Sequence, residues 1–347
     1  MNKKLIGYGG AAMLLLFITI ITAITIGSSG ISLADVWGIL WHSLPFNDDA
    51  QLYYSNGEIA IVTQIRLSRV LLAALVGACL ALAGVGFQGV LRNPLADPYT
   101  LGVASGSSVG AAFIILMGYQ MLLGLWTIPL VAFGTGIVTL FGVIALAKTQ
   151  GSMQIQTLVL AGVIIQSFLG SFVSLMVSMS EGVVNQILFW IMGSISMKSW
   201  EHVYILFPFL IITLPILMYF GQILNLLALG EREAAYMGVN VERSKIIVLI
   251  LCTLLTAAAV SVSGVIGFVG LVVPHLLRLM VGPDYRILIP LSAIGGGIYM
   301  IMADTVARIA LSPKELPLGV VTALIGAPIF TYLLTKKKHK EGGIQSL

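Results

Sequence analysis

Long apolar runs separated by short polar breaks dominate this chain. The runs fall at about 5–27, 64–86, 100–118, 125–147, 155–178, 203–221, 245–263, 265–281, 287–310 and 317–335, each bounded by charges, Pro or Gly clusters. Most lie near the ~20 residues that a helix needs to cross a hydrocarbon layer of ~30 Å. The pattern predicts ten transmembrane helices in a single transmembrane domain, 1–347. A membrane barrel would instead require roughly ten-residue segments of alternating polarity. Stretches such as Ile205-Leu206-Phe207-Pro208-Phe209-Leu210-Ile211-Ile212 do not alternate, so the fold class is an all-α membrane protein. The first run follows Lys3 and Lys4 and exceeds the ~7–15 apolar residues of a secretory signal, so it is expected to persist as a span.

Composition agrees with the pattern. Hydrophobic residues make up 58% of the 347 and charged residues 9%, with a mean hydropathy of +1.03. Soluble domains carry about 25% charged residues. The net charge of +4 is dispersed over short connections, which excludes a nucleic-acid-binding face. Cys79 and Cys252 both sit inside apolar runs and read as small core residues. Lys and Arg divide unequally between the two sets of connections. Placing both termini in the cytoplasm puts thirteen of them inside and five, Arg66, Arg69, Lys198, Arg308 and Lys314, outside.

Two long connections break the rhythm. The outer one, about 28–62, contains Leu33 to Trp41, which predicts a helix lying at the headgroup level with its tryptophans. The inner one, about 222–244, contains Leu229-Gly230-Glu231-Arg232-Glu233-Ala234-Ala235-Tyr236-Met237-Gly238-Val239, with Ala234 and Met237 on one potential helical face. Such a piece fits a partner's groove or a membrane surface, and a solvated loop is the plain alternative.

The chain carries no chemistry of its own that a motif would announce. There is no Gly-Lys dipeptide and hence no phosphate-binding loop, so any ATP is bound and hydrolysed by another chain. Gly84-Val85-Gly86-Phe87-Gln88-Gly89 satisfies G-x-G-x-x-G, yet no strand precedes it. These glycines, with Gly102, Gly106 and Gly110, are expected to let helices approach closely. The four histidines are scattered, and no metal, cofactor or catalytic group is expected on this chain.

Ionisable residues near a span need a reason, because a central charge costs at least ~2.5–3.5 kcal/mol. Arg66 and Arg69 lie three apart on one helical face at the outer start of the second span. Asp304 and Arg308, four apart, form a favourable helical pair at the outer end of the ninth. Snorkelling to the interface explains the arginines. So does an acidic outer partner.

Several co-linear motifs carry a resemblance. Gln88-Gly89-Val90-Leu91-Arg92-Asn93-Pro94-Leu95-Ala96-Asp97-Pro98 with Leu101-Gly102, Trp190-Ile191-Met192-Gly193-Ser194, the Gly230-Glu231 loop, Gly267-Phe268-Val269-Gly270-Leu271-Val272-Val273-Pro274-His275, Ala303 to Arg308 and Glu315 to Pro328 resemble the FecCD family over about residues 58–335. These are the permeases of type II ABC importers for iron-siderophores, haem and cobalamin. The resemblance implies ten helices per subunit, a dimer with a second permease subunit, two ABC ATPase subunits that use ATP and Mg, and an extracytoplasmic substrate-binding protein at the plasma membrane. It implies that Arg66, Arg69 and Arg308 dock the binding protein, and that Gly230, Glu231, Ala234, Gly238 and Val239 belong to the helix coupling the permease to the ATPase. It offers Asn93, Leu95, Ile155 and Gln156 as a cytoplasmic gate, with helix-end capping as the alternative. A ferric siderophore is the expected substrate, ahead of haem and cobalamin. An ion-coupled transporter would need ionisable groups at mid-span, which the runs lack. The chain has Arg66-Leu67-Ser68-Arg69 where many members have Arg-Leu-Pro-Arg, and its 148–154 connection departs from the family pattern.

Overall fold

The computed structural model describes residues 2–27, 30–44, 47, 49–149 and 152–342; Gln150 and Gly151 of the 148–154 connection lie outside them. Apart from a short extended piece at Leu122–Leu125 and a small antiparallel pairing of Lys148–Thr149 with Ser152–Met153, the regular structure is helical: α1 (Asn2–Thr25), α2 (Leu33–His42), α3 (Asn56–Ala60), α4 (Leu67–Val90), α5 (Val103–Leu116), α6 (Thr127–Ala147), α7 (Ile155–Met179), α8 (Val184–Ile191), α9 (Trp200–Leu229), α10 (Glu231–Tyr236), α11 (Val241–Ser263), α12 (Val269–Val281), α13 (Tyr285–Ile309) and α14 (Leu318–Gly342). The helix expected near Leu33 to Trp41 is α2, capped by the Ser32 side chain on the Asp35 amide.

Among the described residues, seven helices are long and apolar enough to cross a membrane, and three shorter apolar helices complete the bundle. The protein is therefore a multi-pass membrane protein. The simple picture of ten full spans changes at two places. α5 has 14 residues and α12 has 13, about 20 Å at 1.5 Å per residue, well short of a crossing. The run expected from 265 begins as irregular chain, because Gly264 ends α11 at φ 70° and α12 starts only at Val269. A second apolar helix, α8, occupies a stretch the hydropathy pattern left as a connection.

Irregular backbone at membrane depth survives only where protein satisfies its polar groups. The Tyr99 hydroxyl donates to the Ile266 carbonyl at 2.8 Å and accepts from the Ile266 amide at 3.1 Å. The Ser194 amide donates to the Ser263 carbonyl at 2.7 Å, while the Leu318 and Gly319 amides donate to Gly193 and Met192. The break after α11, the chain before α5 and the chain after α8 are thereby stitched together.

α4 forms the centre of the bundle, with α13, α11, α9 and α12 around it. It is apolar on all sides, as a fully enclosed helix must be, and its residues from Val76 to Val90 are all buried. The helix continues unbroken back to Asn56 through a π-helical turn at Ile61–Arg66. That turn leaves the Thr63 carbonyl available, and the Trp200 indole donates to it at 3.0 Å. Ser68, at the family's usual proline, stays helical and donates to the Gln64 carbonyl at 2.5 Å.

Close approach is set by glycine. A Cβ on Gly77 would fall on the Gly296 carbonyl and one on Gly296 would fall on the Gly77 carbonyl, so α4 and α13 touch backbone to backbone. Gly84 meets Gly270 of α12 in the same way, and Gly106 and Gly110 face Thr139 and Thr135 of α6. Gly102 departs from the expected packing role. It sits before α5 at φ 74°, where it supplies a left-handed turn, and a Cβ there would have ordinary contacts.

Gly77→Val should therefore wedge α4 from α13 and lower stability by about 1–3 kcal/mol. Gly134→Ala, at an open helical position, should not lower the thermal midpoint of the detergent-solubilised protein and should raise it slightly, since alanine is the better helix former. Equal midpoints for Gly77→Val and wild type would contradict the crossing.

Candidate functional site

Two clusters of polar groups occupy opposite ends of α4. At its N-terminal end, Arg66, Arg69 and Arg308 meet around a cavity of about 460 Å³ that Glu315 also lines. Helix α13 brings Asp304 between two of them. Arg69 Nε and Nη2 donate to Asp304 Oδ1 at 3.0 and 2.9 Å. Arg308 Nε lies 3.1 Å from Asp304 Oδ2. The other edge of Arg69 grips Glu315, with Nη1 and Nη2 donating at 2.8 and 2.9 Å. Planar guanidinium suits such two-sided, bidentate binding. This contact holds the Glu315 carboxyl below the usual carboxylate range.

Arg66 and Arg308 serve the C-terminus of α1. The last carbonyls of a helix have no partner within it, and here they converge on arginine. Arg308 donates to Ala23 at 3.1 Å and Ile26 at 2.9 Å, while Arg66 donates to Ile24 at 3.0 Å and Thr25 at 3.4 Å. Cations at this position also meet the negative end of the helix dipole.

The structure thus brings all three expected arginines together but alters their character. They form no exposed patch: Arg66 is 5% and Arg69 9% exposed. Both sit at the cavity through different neighbours, Arg66 on α1 and Arg69 on α13 and Glu315. Pattern reading found the Asp304–Arg308 pair by its four-residue spacing. It missed the Arg69–Asp304 contact, which joins residues 235 apart, and the clasp of Arg69 by Glu315. The only local signal was a carboxylate placed seven residues beyond Arg308.

At the other end of α4 lies α10. Gly230 precedes it at φ 147°, a conformation open to glycine, and a Cβ there would strike the Glu233 carboxylate. Glu231 accepts from Lys245 Nζ at 3.0 Å on both oxygens, which ties α10 to α11. Ala234 is fully buried, and the Val239 amide donates back to its carbonyl at 3.1 Å. Gly238 turns the chain at φ 84°. Met237 does not share the face of Ala234: α10 ends at Tyr236, and Met237 caps it, 60% exposed. With Tyr236 at 90% and Leu229 at 64% exposure, it makes an apolar surface on a charged helix. Nearby, Asp284 accepts from Asn225 at 2.7 Å and from Arg286, which draws its carboxyl down to about 2.

Of the residues expected at a gate, Asn93 and Leu95 bond to each other, and among the described residues no hydrogen bond joins them to Ile155 or Gln156. The Asn93 side chain accepts from the Leu95 amide at 2.9 Å, a local turn, and Leu95 is exposed. Ile155 packs against the core at the start of α7, where Gln156 is exposed. Helix α7 is the least enclosed of the central spans, with only 17% of its apolar window buried. Its exposed side carries Ser167, Ser171, Ser174 and Ser178 at three- and four-residue intervals, one helical stripe. Ser107 and Ser108 are buried against the bundle, whereas Gln166 and Ser167 on α7 are exposed.

Comparison with known proteins agrees with this architecture. The model of the FecCD transport family matches residues 15–336. The uncharacterized ABC transporter permease protein YvrB of Bacillus subtilis is 42% identical, covering 94% of this chain and 92% of its own. The cobalamin import system permease protein BtuC of Halobacterium salinarum is 41% identical over 87% of this chain and 81% of its own. Further relatives are named as hemin, molybdate and Fe(3+) dicitrate permeases. A solved inward-facing structure of a putative metal-chelate type ABC transporter superposes with a TM-score of 0.82 at 34% identity, covering 97% of this chain and all of that one. The chain is no enzyme but a permease subunit of an ABC importer, and it belongs to the FecCD transport family.

Proposed function

We propose that this permease carries a ferric siderophore inward, with its arginine end outside and both termini in the cytoplasm. The observation that carries the reading is the exposed serine stripe of α7. A lipid-facing helix gains nothing from hydroxyls, whereas a wide path for a bulky polar complex is served by small, weakly binding groups. A second permease subunit facing α7 would complete that path. The iron travels inside its chelator as cargo, so this chain supplies no ligands to it. Cobalamin is the second reading, favoured by the 41% identity to a cobalamin permease.

In this reading Arg66, Arg69 and Arg308 receive carboxylates of an extracytoplasmic binding protein. Three arginines against Asp304 and Glu315 leave a net positive charge, and the cavity between them admits a side chain. At the inner end, the exposed Leu229, Tyr236 and Met237 fit a cleft on one of the two ABC ATPase subunits. Gly230, Glu231, Ala234, Gly238 and Val239 hold that surface in place. ATP and Mg act on the ATPase. The permease responds because the closed ATPase dimer binds one arrangement of α10 better than the other. Asn93 and Leu95 with Ile155 and Gln156 form the inner gate.

Uptake of labelled ferric siderophore, haem, cobalamin and molybdate in cells lacking this chain should fall for the siderophore alone; unaffected siderophore uptake would exclude the first reading. Arg66→Gln and Arg308→Gln should keep the fold, judged by thermal midpoint, yet weaken binding-protein docking tenfold or more. Undiminished docking by folded variants would reduce these arginines to caps of α1. Replacing Tyr236 and Met237 together by alanine should leave stability unchanged and abolish substrate-stimulated ATP hydrolysis by the assembled transporter. Normal stimulation would place the ATPase contact elsewhere.

A further inference from the structure

A second cavity, of about 240 Å³, lies beside the arginine cluster. Its walls come from α5, α6, α8, the end of α11 and the chain between α8 and α9, and Lys198 projects from that chain. The segment carrying Lys198 is firmly held. Ile195 is fully buried, the Ser194 amide donates to Ser263, and Ser196 lies beside Glu315 of the arginine cluster. The last link puts the cavity at the arginine end of the molecule. Met197 adopts φ 56° with its side chain almost wholly exposed. A left-handed residue of this kind is strained for a side chain with a Cβ, and here it turns the chain so that Lys198, the next residue, faces the cavity.

Lys198, Gln186 and Ser194 bring donor hydrogens to this cavity. The Gln120 amide donates to Gln186 Oε1 at 2.9 Å, which leaves the Gln186 nitrogen as its free end. Ser194 Oγ accepts from the Ser196 amide at 3.1 Å, which leaves its hydroxyl hydrogen to give. Lys198 is half-buried, and among the described residues no hydrogen bond or ion pair reaches its ammonium. No Asp or Glu lines the cavity. A desolvated ammonium amid hydroxyl and amide donors is matched by an oxygen anion.

We infer that this cavity is an anion site at the outer mouth of the permease, in which Lys198, Gln186 and Ser194 bind a carboxylate or oxoanion of the substrate. This rests on the transport reading with the arginine end outward. The volume sets the scale. At roughly 30 Å³ per water, it holds a handful of waters, too few for a whole chelate. One carboxylate arm of a ferric complex fits, as does a free tetrahedral oxoanion. The site therefore discriminates by charge: anionic substrates gain a foothold as they leave the binding protein, and uncharged ones do not.

The test is equilibrium binding to the purified full-length protein in lipid nanodiscs. The probes are ferric citrate for a carboxylate-bearing chelate, molybdate for a free oxoanion, and cyanocobalamin as the uncharged comparison. Wild type should bind at least one anion saturably. Lys198→Gln should weaken that binding tenfold or more, Lys198→Arg should stay within about threefold, and cyanocobalamin should respond to neither substitution. Binding of neither anion by wild type, or equal anion affinity in Lys198→Gln at an unchanged thermal midpoint, would overturn the site. Uptake by the assembled transporter is measured separately. Lys198-dependent anion binding without uptake would keep the site and refute the transport reading, and siderophore uptake indifferent to Lys198 would do the reverse.

Discussion

Lipid offers no hydrogen bonds, and the whole structure answers to that constraint. It compels helices, and it compels a partner for every helix end and every break within the membrane. The three arginines follow from it as much as from any docking role, since two of them cap the carbonyls at the end of α1. Tyr99 follows from it too. One hydroxyl serves both polar groups of Ile266, so the chain breaks between α11 and α12 without leaving an orphan.

Once backbone bonds are settled, packing among apolar helices depends on how near they can come, because lipid tails are as apolar as leucine. Gly77 with Gly296 and Gly84 with Gly270 remove the side chains that would keep α13 and α12 away from α4. The central helix is consequently enclosed, and the polar segments at its two ends are held in fixed relation. Movement at α10 can then reach the arginine end through a bundle with little slack.

Scarce charge concentrates function. Arg69 and Asp304 are both buried, and removing one partner of such a pair typically costs about 3–5 kcal/mol. These groups therefore carry structure, and in the proposed docking a carboxylate would have to compete with Asp304, Glu315 and the α1 carbonyls. Lys198 stands apart in having no such partner among the described residues, although Ser196 brings its segment beside Glu315.

Apolar runs long enough to cross a membrane are a local property, so the helical fold class, α2 and the positions of Arg66, Arg69, Arg308 and the Gly230–Val239 segment were legible from sequence. So was the Asp304–Arg308 pair, because four-residue spacing on a helix is itself geometry. The half-length of α5 and α12, the helix α8, the outward turn of Met237 and the double clasp of Arg69 were not. Each depends on which distant backbone supplies a missing hydrogen bond or which distant carboxylate lies within reach. Hydropathy sums over neighbours in sequence and contains no term for residues 167 or 235 apart. The residues alone determined that this chain lives in a membrane and where its few charges sit, and only the tertiary structure decided which of those charges meet one another, because those meetings join residues far apart in sequence.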